Sequence, residues 1–139
     1  MSKYPSLIIH TDGGARGNPG PAGIGAVLKD EKGTLVAEVS EYIGETTNNQ
    51  AEYRAVLAAM EKAKALGAEE LEFVLDSELV VKQLNREYKV KDKDLAVVFM
   101  KVYNASQGFA KVSFKHVRRE FNKEADALVN KALDERAGK

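Results

Sequence analysis

The fold of this chain is decided by the stretch Thr11-Asp12-Gly13-Gly14-Ala15-Arg16-Gly17-Asn18-Pro19-Gly20-Pro21-Ala22-Gly23. The Leu-Ile-Ile run at 7–9 is typical of a short β-strand, so we expect Asp12 at the carboxyl end of that strand. The glycines that follow let another backbone come close, and the prolines stiffen the loop. A rigid, nearly bare surface beside a carboxylate favours contact with a polymer backbone. Two ordinary hairpin turns are the alternative explanation.

The composition indicates one domain over residues 1–139, because 44% hydrophobic residues are enough for a single core. The absence of cysteine excludes a disulfide scaffold, a thiolate metal site and a cysteine nucleophile. A formal net charge of zero argues against a generally basic nucleic-acid binder, although a basic face can still exist locally. No apolar run is long enough to span a bilayer and no leader is visible, so we expect a cytoplasmic protein that does not contact a membrane.

The hydrophobic periodicity changes along the chain and predicts the order of strands and helices. Short turns separate the apolar runs at 7–9, 22–28 and 34–43, which indicates a meander of three antiparallel strands. The spacing is then helical from Asn48 to Leu66, with Thr47 as the N-cap. The later segments predict a strand at 71–75, helices at 77–86 and 95–108, a strand at 111–117 and a last helix capped by Asn122.

This order predicts an α/β domain with a mixed five-stranded sheet, in which parallel strands follow the antiparallel meander and helices flank the sheet. If the first and fourth strands are parallel neighbours, Asp12 and Asp76 emerge together at their carboxyl ends. Open α/β sheets bind their ligands at that edge.

Four carboxylates could share this edge of the sheet: Asp12, Glu52, Asp76 and Asp126. Each also has an ordinary explanation, respectively as a turn residue, a helix-flank charge, a helix N-cap and a first-turn residue. Clustered carboxylates repel one another, however, and need a positive charge beside them. Mg²⁺ prefers oxygen ligands, and two ions about 3.5–4 Å apart can activate water for displacement at phosphorus. The two histidines are too few and too scattered for a histidine-based zinc site.

Four motifs resemble ribonuclease H of type 1, in the order that this family has them. They are Asp12-Gly13-Gly14 with Gly17-Asn18-Pro19-Gly20, then Thr47-Asn48-Asn49-Gln50-Ala51-Glu52, then Asp76-Ser77, then Arg119-Glu120 with Asn122-Lys123-Glu124-Ala125-Asp126. The resemblance implies a ribonuclease H-like fold and an endonuclease that hydrolyses the RNA strand of RNA–DNA hybrids with two Mg²⁺ or Mn²⁺ ions. The products would carry 5′-phosphate and 3′-hydroxyl ends. The implied metal ligands are Asp12, shared by both ions, with Glu52, Asp76 and Asp126.

The resemblance also implies residues that bind the hybrid. Asn18, Asn48 and Asn49 match amides that contact RNA in the minor groove, and an amide can both donate to and accept from a 2′-hydroxyl. For Asn48 and Asn49 the alternative is a capping role at the start of the helix. Thr47 matches a position that holds a phosphate of the DNA strand. Gly13 and Gly14 provide bare backbone beside Asp12 for the substrate.

Some positions depart from the family pattern. Many relatives carry a basic, tryptophan-bearing handle between the two middle helices, whereas this chain has only a short link at 86–93 and no tryptophan. We therefore expect weaker hybrid affinity, unless the lysines of that link contact phosphates. Glu45 and Asp92 stand where some relatives have an arginine and an asparagine at the DNA-phosphate pocket.

Two residues near the last motif are candidates for catalysis. His116 lies ten residues before Asp126, the offset of a histidine that assists product release or orients water in some relatives. The segment Val117-Arg118-Arg119-Glu120 instead looks like a family branch without that histidine-bearing loop. Arg118 is a candidate to approach the scissile phosphate.

The sequence leaves three other functional classes open. These are a hybrid-binding module with little turnover, another ribonuclease-H-like metal-dependent nuclease or transferase, and a purely structural α/β domain. Substrate choice and metal-dependent turnover distinguish them. We expect a monomer, because no unburied apolar stripe stands out in the helices.

Overall fold

The computed structural model of the protein describes residues 4–137. The strands are β1 (Ser6–Ala15), β2 (Gly20–Lys29), β3 (Leu35–Thr46), β4 (Glu70–Leu75) and β5 (Lys111–His116). The helices are α1 (Asn48–Ala65), α2 (Glu78–Leu84), α3 (Lys93–Ser106) and α4 (Lys123–Arg136), and a 3₁₀ turn spans Arg119–Phe121. This order confirms the predicted one. Within the described residues no helix combines the length and apolar character that a membrane span requires.

The strands form one mixed sheet with the order β3-β2-β1-β4-β5. β1 to β3 are the predicted antiparallel meander, and β1 pairs in parallel with β4, which pairs in parallel with β5. β1 is therefore central, with the meander on one side and the parallel strands on the other. The predicted α/β class and sheet arrangement are confirmed.

The prediction that β1 ends at Asp12 is wrong. Its ladder with β4 stops at His10, opposite Val74, but its ladder with β2 continues to Ala15, opposite Ala22. The Asp12-Gly13 pair is consequently strand and not a turn, and the hairpin turns at 16–19. Pairing with β2 outweighs the poor strand propensity of glycine here.

Two successive glycines of β1 face opposite sides of the sheet, because side chains alternate along a strand. A Cβ on Gly13 would lie 2.3 Å from the backbone carbonyl of Ala51, so α1 packs directly on the strand. A Cβ on Gly14 would point to Val129 of α4 at an ordinary 3.9 Å. On the α4 side, Gly25 of β2 allows the carbonyl of Ala125 to approach in the same manner. These glycines permit close packing of helices against the sheet.

α1 supplies much of the core under the sheet. Its residues Tyr53, Val56 and Met60 are buried, together with Phe73 of β4. Thr47 is the N-cap, since its Oγ1 accepts from the backbone N of Gln50 at 3.2 Å. The helical spacing therefore located this element to within one residue.

The bounds of α2 and α3 differ from the predicted ones, and α3 spans Lys93–Ser106 instead of 95–108. α2 ends at Leu84 because Arg86 adopts a left-handed backbone conformation with φ of 66°, which a helix cannot contain. Asn122 holds the N-cap position of α4, but its side chain makes no capping hydrogen bond. The predicted side-chain cap at Asn122 is therefore wrong, because the amide bonds to β1 instead.

Gly13→Ala should lower the free energy of unfolding by roughly 2–3 kcal/mol or more, because the new Cβ would overlap the α1 backbone and neither element can move freely. Gly14→Ala is the matched control, and we expect a change within about 1 kcal/mol since its neighbours lie at contact distance. Urea unfolding followed by circular dichroism measures both. Equal losses in the two variants would contradict the proposed packing of α1.

Candidate active site

Four carboxylates predicted from the sequence line one cavity of about 540 Å³. Asp12 lies late in β1 and Asp76 directly follows β4. Because the two strands are parallel and pair as far as His10 and Val74, these side chains leave the sheet at the same edge. Glu52 is one turn into α1, and Asp126 lies in the first turn of α4. The structure thus brings together residues from four separate parts of the chain.

The cavity is strongly unfavourable for negative charge. Burial is the largest cause that raises the pKa of Asp12 to about 8, followed by the charge of Asp76 and a hydrogen bond with Asp126. Burial also raises the pKa of Glu52 to about 7, and the charge of Asp76 adds to this rise. At neutral pH the cluster therefore retains protons unless another positive charge is present.

The chemistry of the donor atoms decides which metal ion this cavity could hold. Across residues 4–137, no three His, Cys, Asp or Glu side chains are arranged to hold one ion as they stand. The chemistry nevertheless fits a hard divalent cation, because the cluster offers only carboxylate oxygens. The hydrogen bond between Asp12 and Asp126 requires a proton, and a cation in its place would remove the same repulsion. The four carboxylates thus fit a divalent cation by their chemistry, although their side chains are not gathered around one ion in residues 4–137.

Ser77 belongs to the cavity although it was not selected as a site residue. Its Oγ accepts from the backbone N of Val80 at 3.3 Å and caps α2, so the explanation of Asp76 as an N-cap is wrong. A hydrogen bond from the Ser77 hydroxyl to Glu52 lowers the pKa of that carboxyl, against the effect of burial. The sequence feature that could have identified Ser77 is its position directly after a strand-ending carboxylate and before a helical run.

A second cavity of about 780 Å³ adjoins the first and shares Asn48 and Glu52 with it. The predicted residues Asn18, Thr47 and Asn49 also line it. Gly13 and Gly14 line the carboxylate cavity instead. The candidate substrate-binding residues therefore form a continuous surface beside the acidic cluster.

Hydrogen bonds lock Asn18 and Asn48 between the β1–β2 loop and α1. The Oδ1 of Asn18 accepts from the backbone N of Asn48 at 3.1 Å, and the Oδ1 of Asn48 accepts from the backbone N of Ala15 at 2.8 Å. Asn48 does not cap α1 with its side chain, because Thr47 does so. Both bonds use amide oxygens, so neither bond occupies an NH₂ group, which can donate to a ligand.

The comparisons with known proteins agree with this geometry. The sequence family described as reverse transcriptase-like matches residues 10–132. A ribonuclease HI of Halobacterium salinarum is 46% identical over 89% of this chain. The crystal structure of RNase H1 from the same archaeon superimposes with a TM-score of 0.91 at 44% identity, covering 94% of this chain and 98% of that one. The chain belongs to the ribonuclease H type 1 family.

Two further relatives bear on this ribonuclease H domain. A bifunctional protein of Mycobacterium tuberculosis is 42% identical over 92% of the chain. The RNase H1 named LC11, whose structure was solved with an RNA/DNA hybrid, has a TM-score of 0.90 at 48% identity and covers 94% of this chain and 99% of that one. The chain spans 35% of the length of the mycobacterial protein and 62% of the halobacterial enzyme. The match therefore covers only part of the mycobacterial and halobacterial proteins.

Arg119 lines the carboxylate cavity of this ribonuclease H domain, whereas the predicted candidate is its neighbour Arg118. Its guanidinium lies 3.9 Å from Asp126, and its side chain is 83% exposed. Arg16 also lines the cavity, but an ion pair of 2.7 Å holds it to Asp134. Arg119 thus has a loosely held positive charge beside the acidic cluster. The sequence feature that could have identified Arg119 is its place in the same motif as Asp126.

The structure does not bring His116 and Arg118 to the carboxylate cavity. His116 is the exposed last residue of β5, an edge strand. Arg118 pairs with Glu120 at 3.2 Å, and its guanidinium lies 5.6 Å from the centre of the Phe121 ring. Their catalytic roles stay predictions.

The second cavity has an acidic side that departs from the family pattern. Asp92 lines it and caps α3, since its carboxylate accepts from the backbone N atoms of Asp94 and Leu95 at 2.8 and 3.0 Å. Asp94 lines it as well. The lysines at 89, 91 and 93 are exposed and do not line this cavity. Glu45 lies in β3 opposite Pro21.

The raised pKa values of Asp12 and Glu52 predict that, without divalent ions, stability falls as pH rises. Their folded-state pKa values lie above the ordinary ones, so the folded protein keeps protons that the unfolded chain has lost between about pH 4 and pH 8. Asp12→Asn removes one charge and should raise Tm by roughly 3–8 °C at pH 8, with little change at pH 4.5. Calorimetry in EDTA measures both values.

Glu61→Gln is the control for this prediction, because Glu61 lies on the exposed side of the helix that carries Glu52. We expect no change in Tm at either pH for this variant. A Tm difference for Asp12→Asn that is the same at both pH values would contradict the repulsion argument. A Mg²⁺-dependent rise in Tm for the wild-type protein at pH 8 is also expected.

Proposed function

We propose that the chain is a metal-dependent endonuclease that hydrolyses the RNA strand of RNA–DNA hybrids. The observation that carries this proposal is the convergence of four carboxylates in one cavity, adjoining a second cavity lined by asparagines. Family membership supports the reaction class, since the halobacterial relative is named ribonuclease HI. The hybrid bound to the LC11 relative supports the substrate class.

The proposed metal ligands are Asp12, Glu52, Asp76 and Asp126, with Asp12 shared by two Mg²⁺ or Mn²⁺ ions. Bound divalent cations would supply Lewis-acid chemistry for a hydrolysis that leaves 5′-phosphate and 3′-hydroxyl ends. The protein fixes the carboxylates on β1, α1, α4 and the end of β4. The raised pKa values of Asp12 and Glu52 support a site that needs positive charge, which divalent cations would supply.

The proposed recognition of RNA depends on the amides of Asn18, Asn48 and Asn49. The amide oxygens of Asn18 and Asn48 are engaged within the protein, so their NH₂ groups can donate to a 2′-hydroxyl. A 2′-hydroxyl distinguishes an RNA strand from DNA at such a contact. Thr47 is proposed to contact a phosphate of the DNA strand, and Gly13 and Gly14 allow the RNA backbone to approach Asp12 closely.

We propose that a positively charged side chain at the end of β5, or in the segment that follows it, contacts the scissile phosphate. His116 and Arg118 remain candidates there, but the guanidinium nearer the carboxylates is that of Arg119. We also propose that residues 1–139 act as one monomeric catalytic domain, since one sheet links the described elements.

Cleavage of a strand-labelled RNA–DNA hybrid tests the proposal. With Mg²⁺ or Mn²⁺ we expect cuts confined to the RNA strand, and none in EDTA. Parallel assays on matched RNA and DNA duplexes distinguish cleavage of the hybrid from the activities of other nucleases with this fold. Asp12→Asn should lower the cleavage rate by about 10³-fold or more, because a lost metal ligand removes several kcal/mol of charge stabilisation.

Glu61→Gln serves again as the folded control and should cleave at the wild-type rate. Mg²⁺-dependent cleavage retained by Asp12→Asn would contradict the assigned ligands. Tight hybrid binding without hydrolysis in either metal would indicate a binding module instead.

A further inference from the structure

Asn122 is a buried polar residue whose side chain does not serve the helix that it precedes. It is 1% exposed, and its amide makes no capping bond to α4. Buried polar atoms are retained where other partners satisfy them. The contacts of Asn122 therefore indicate what the residue does.

Both ends of the Asn122 amide bind β1. Its Nδ2 donates to the carbonyl oxygen of Thr11 at 2.8 Å, and its Oδ1 lies 3.0 Å from Nδ1 of His10. Because the Thr11 carbonyl can only accept, the orientation of the amide is determined, and His10 donates from Nδ1. Thr11 directly precedes Asp12, so the amide holds the strand immediately beside a carboxylate.

The backbone of Asn122 is hydrogen-bonded to Asp126 and Arg119, which both line the carboxylate cavity. Its carbonyl accepts from the backbone N of Asp126 at 3.2 Å, and its N–H donates to the carbonyl of Arg119 at 2.9 Å. One residue thus connects the strand of Asp12 with the helical turn of Asp126. Because Asn122 is hydrogen-bonded both to the strand and to the helical turn, it limits how far the two can move apart.

The next turns of α4 are held to other strands. Ala125 packs on Gly25 of β2, and the hydroxyl of Ser40 in β3 donates to the carbonyl of Leu128 at 2.7 Å. These contacts fix the helix over the meander. Asn122 contributes the side-chain hydrogen bonds that link the start of α4 to β1. The repulsion between Asp12 on β1 and Asp126 on α4 acts to separate these two elements.

We propose that Asn122 is a positioning residue that sets the separation of Asp12 from Asp126, and through it the affinity of the site for divalent cations. The inference rests on the proposed function, since it takes these carboxylates as metal ligands. Without the amide, the first turn of α4 loses the side-chain hydrogen bonds of Asn122 to β1 and keeps its packing on β2. Residues that orient metal ligands typically change metal affinity or activity by about 10–100-fold when they are removed.

The test compares Asn122→Ala with Gln83→Ala. Gln83 is the other buried amide side chain in residues 4–137, and it accepts from the hydroxyl of Tyr53 at 2.8 Å. Both variants lose a buried, hydrogen-bonded amide, but only Asn122 bonds to the strand of Asp12. Mg²⁺ is titrated into each protein without nucleic acid, by calorimetry and by the rise in Tm. kcat and KM are then measured on the hybrid.

We expect Asn122→Ala to need roughly tenfold more Mg²⁺ and to lose kcat with little change in KM for the hybrid. Gln83→Ala should lose Tm but keep the wild-type Mg²⁺ affinity. Wild-type Mg²⁺ affinity in Asn122→Ala, or an equal shift in Gln83→Ala, would overturn the inference alone. A wild-type protein that binds no Mg²⁺ would overturn the proposed function together with it.

His10→Ala is the second variant, and it tests the positioning role of Asn122 if Asn122→Ala does not fold. It removes one partner of the amide from a half-buried position, so the fold should tolerate it. We expect a smaller loss of Mg²⁺ affinity in the same direction. An unchanged affinity in the folded His10→Ala protein would count against the positioning role.

Discussion

Repulsion among buried carboxylates is the constraint on which the arrangement of this domain depends. Burial and neighbouring charges raise the pKa of Asp12 to about 8, so the site exists only because the surrounding elements cannot separate. β1 is hydrogen-bonded to strands on both of its edges. Gly13 admits the α1 backbone to one face of that strand, and Gly25 of β2 admits the α4 backbone to the other face of the sheet. Close packing of the helices on the sheet thus opposes the repulsion between the carboxylates.

Much of the fold could be predicted because its helices and strands keep a regular hydrophobic period. α1 was located to within one residue, since its buried stripe has helical spacing and Thr47 marks its start. The end of β1 could not be predicted, because Gly13 and Gly14 resemble a turn and only pairing with β2 keeps them in the strand. The pairing partner of a strand is not visible in local sequence.

The candidate site shows the same division between local and tertiary information. Its carboxylates could be predicted from motifs that each keep a fixed place on a strand end or helix turn. Asn122 could not, because an asparagine before a helix looks like an N-cap whether its amide turns to the helix or to a distant strand. Arg118 and Arg119 are adjacent and chemically equal, and only the path of the 3₁₀ turn decides which of them faces the cavity.

The first two turns of α1 carry both kinds of functional group, since Asn48 and Asn49 lie just before Glu52 on one continuous helix. The two cavities share Asn48 and Glu52, so a movement of this turn shifts an amide and a carboxylate together. Under the proposed function, a nucleic-acid strand that displaces the amides would also displace a proposed metal ligand. Discrimination between sugars would then act on turnover as well as on binding.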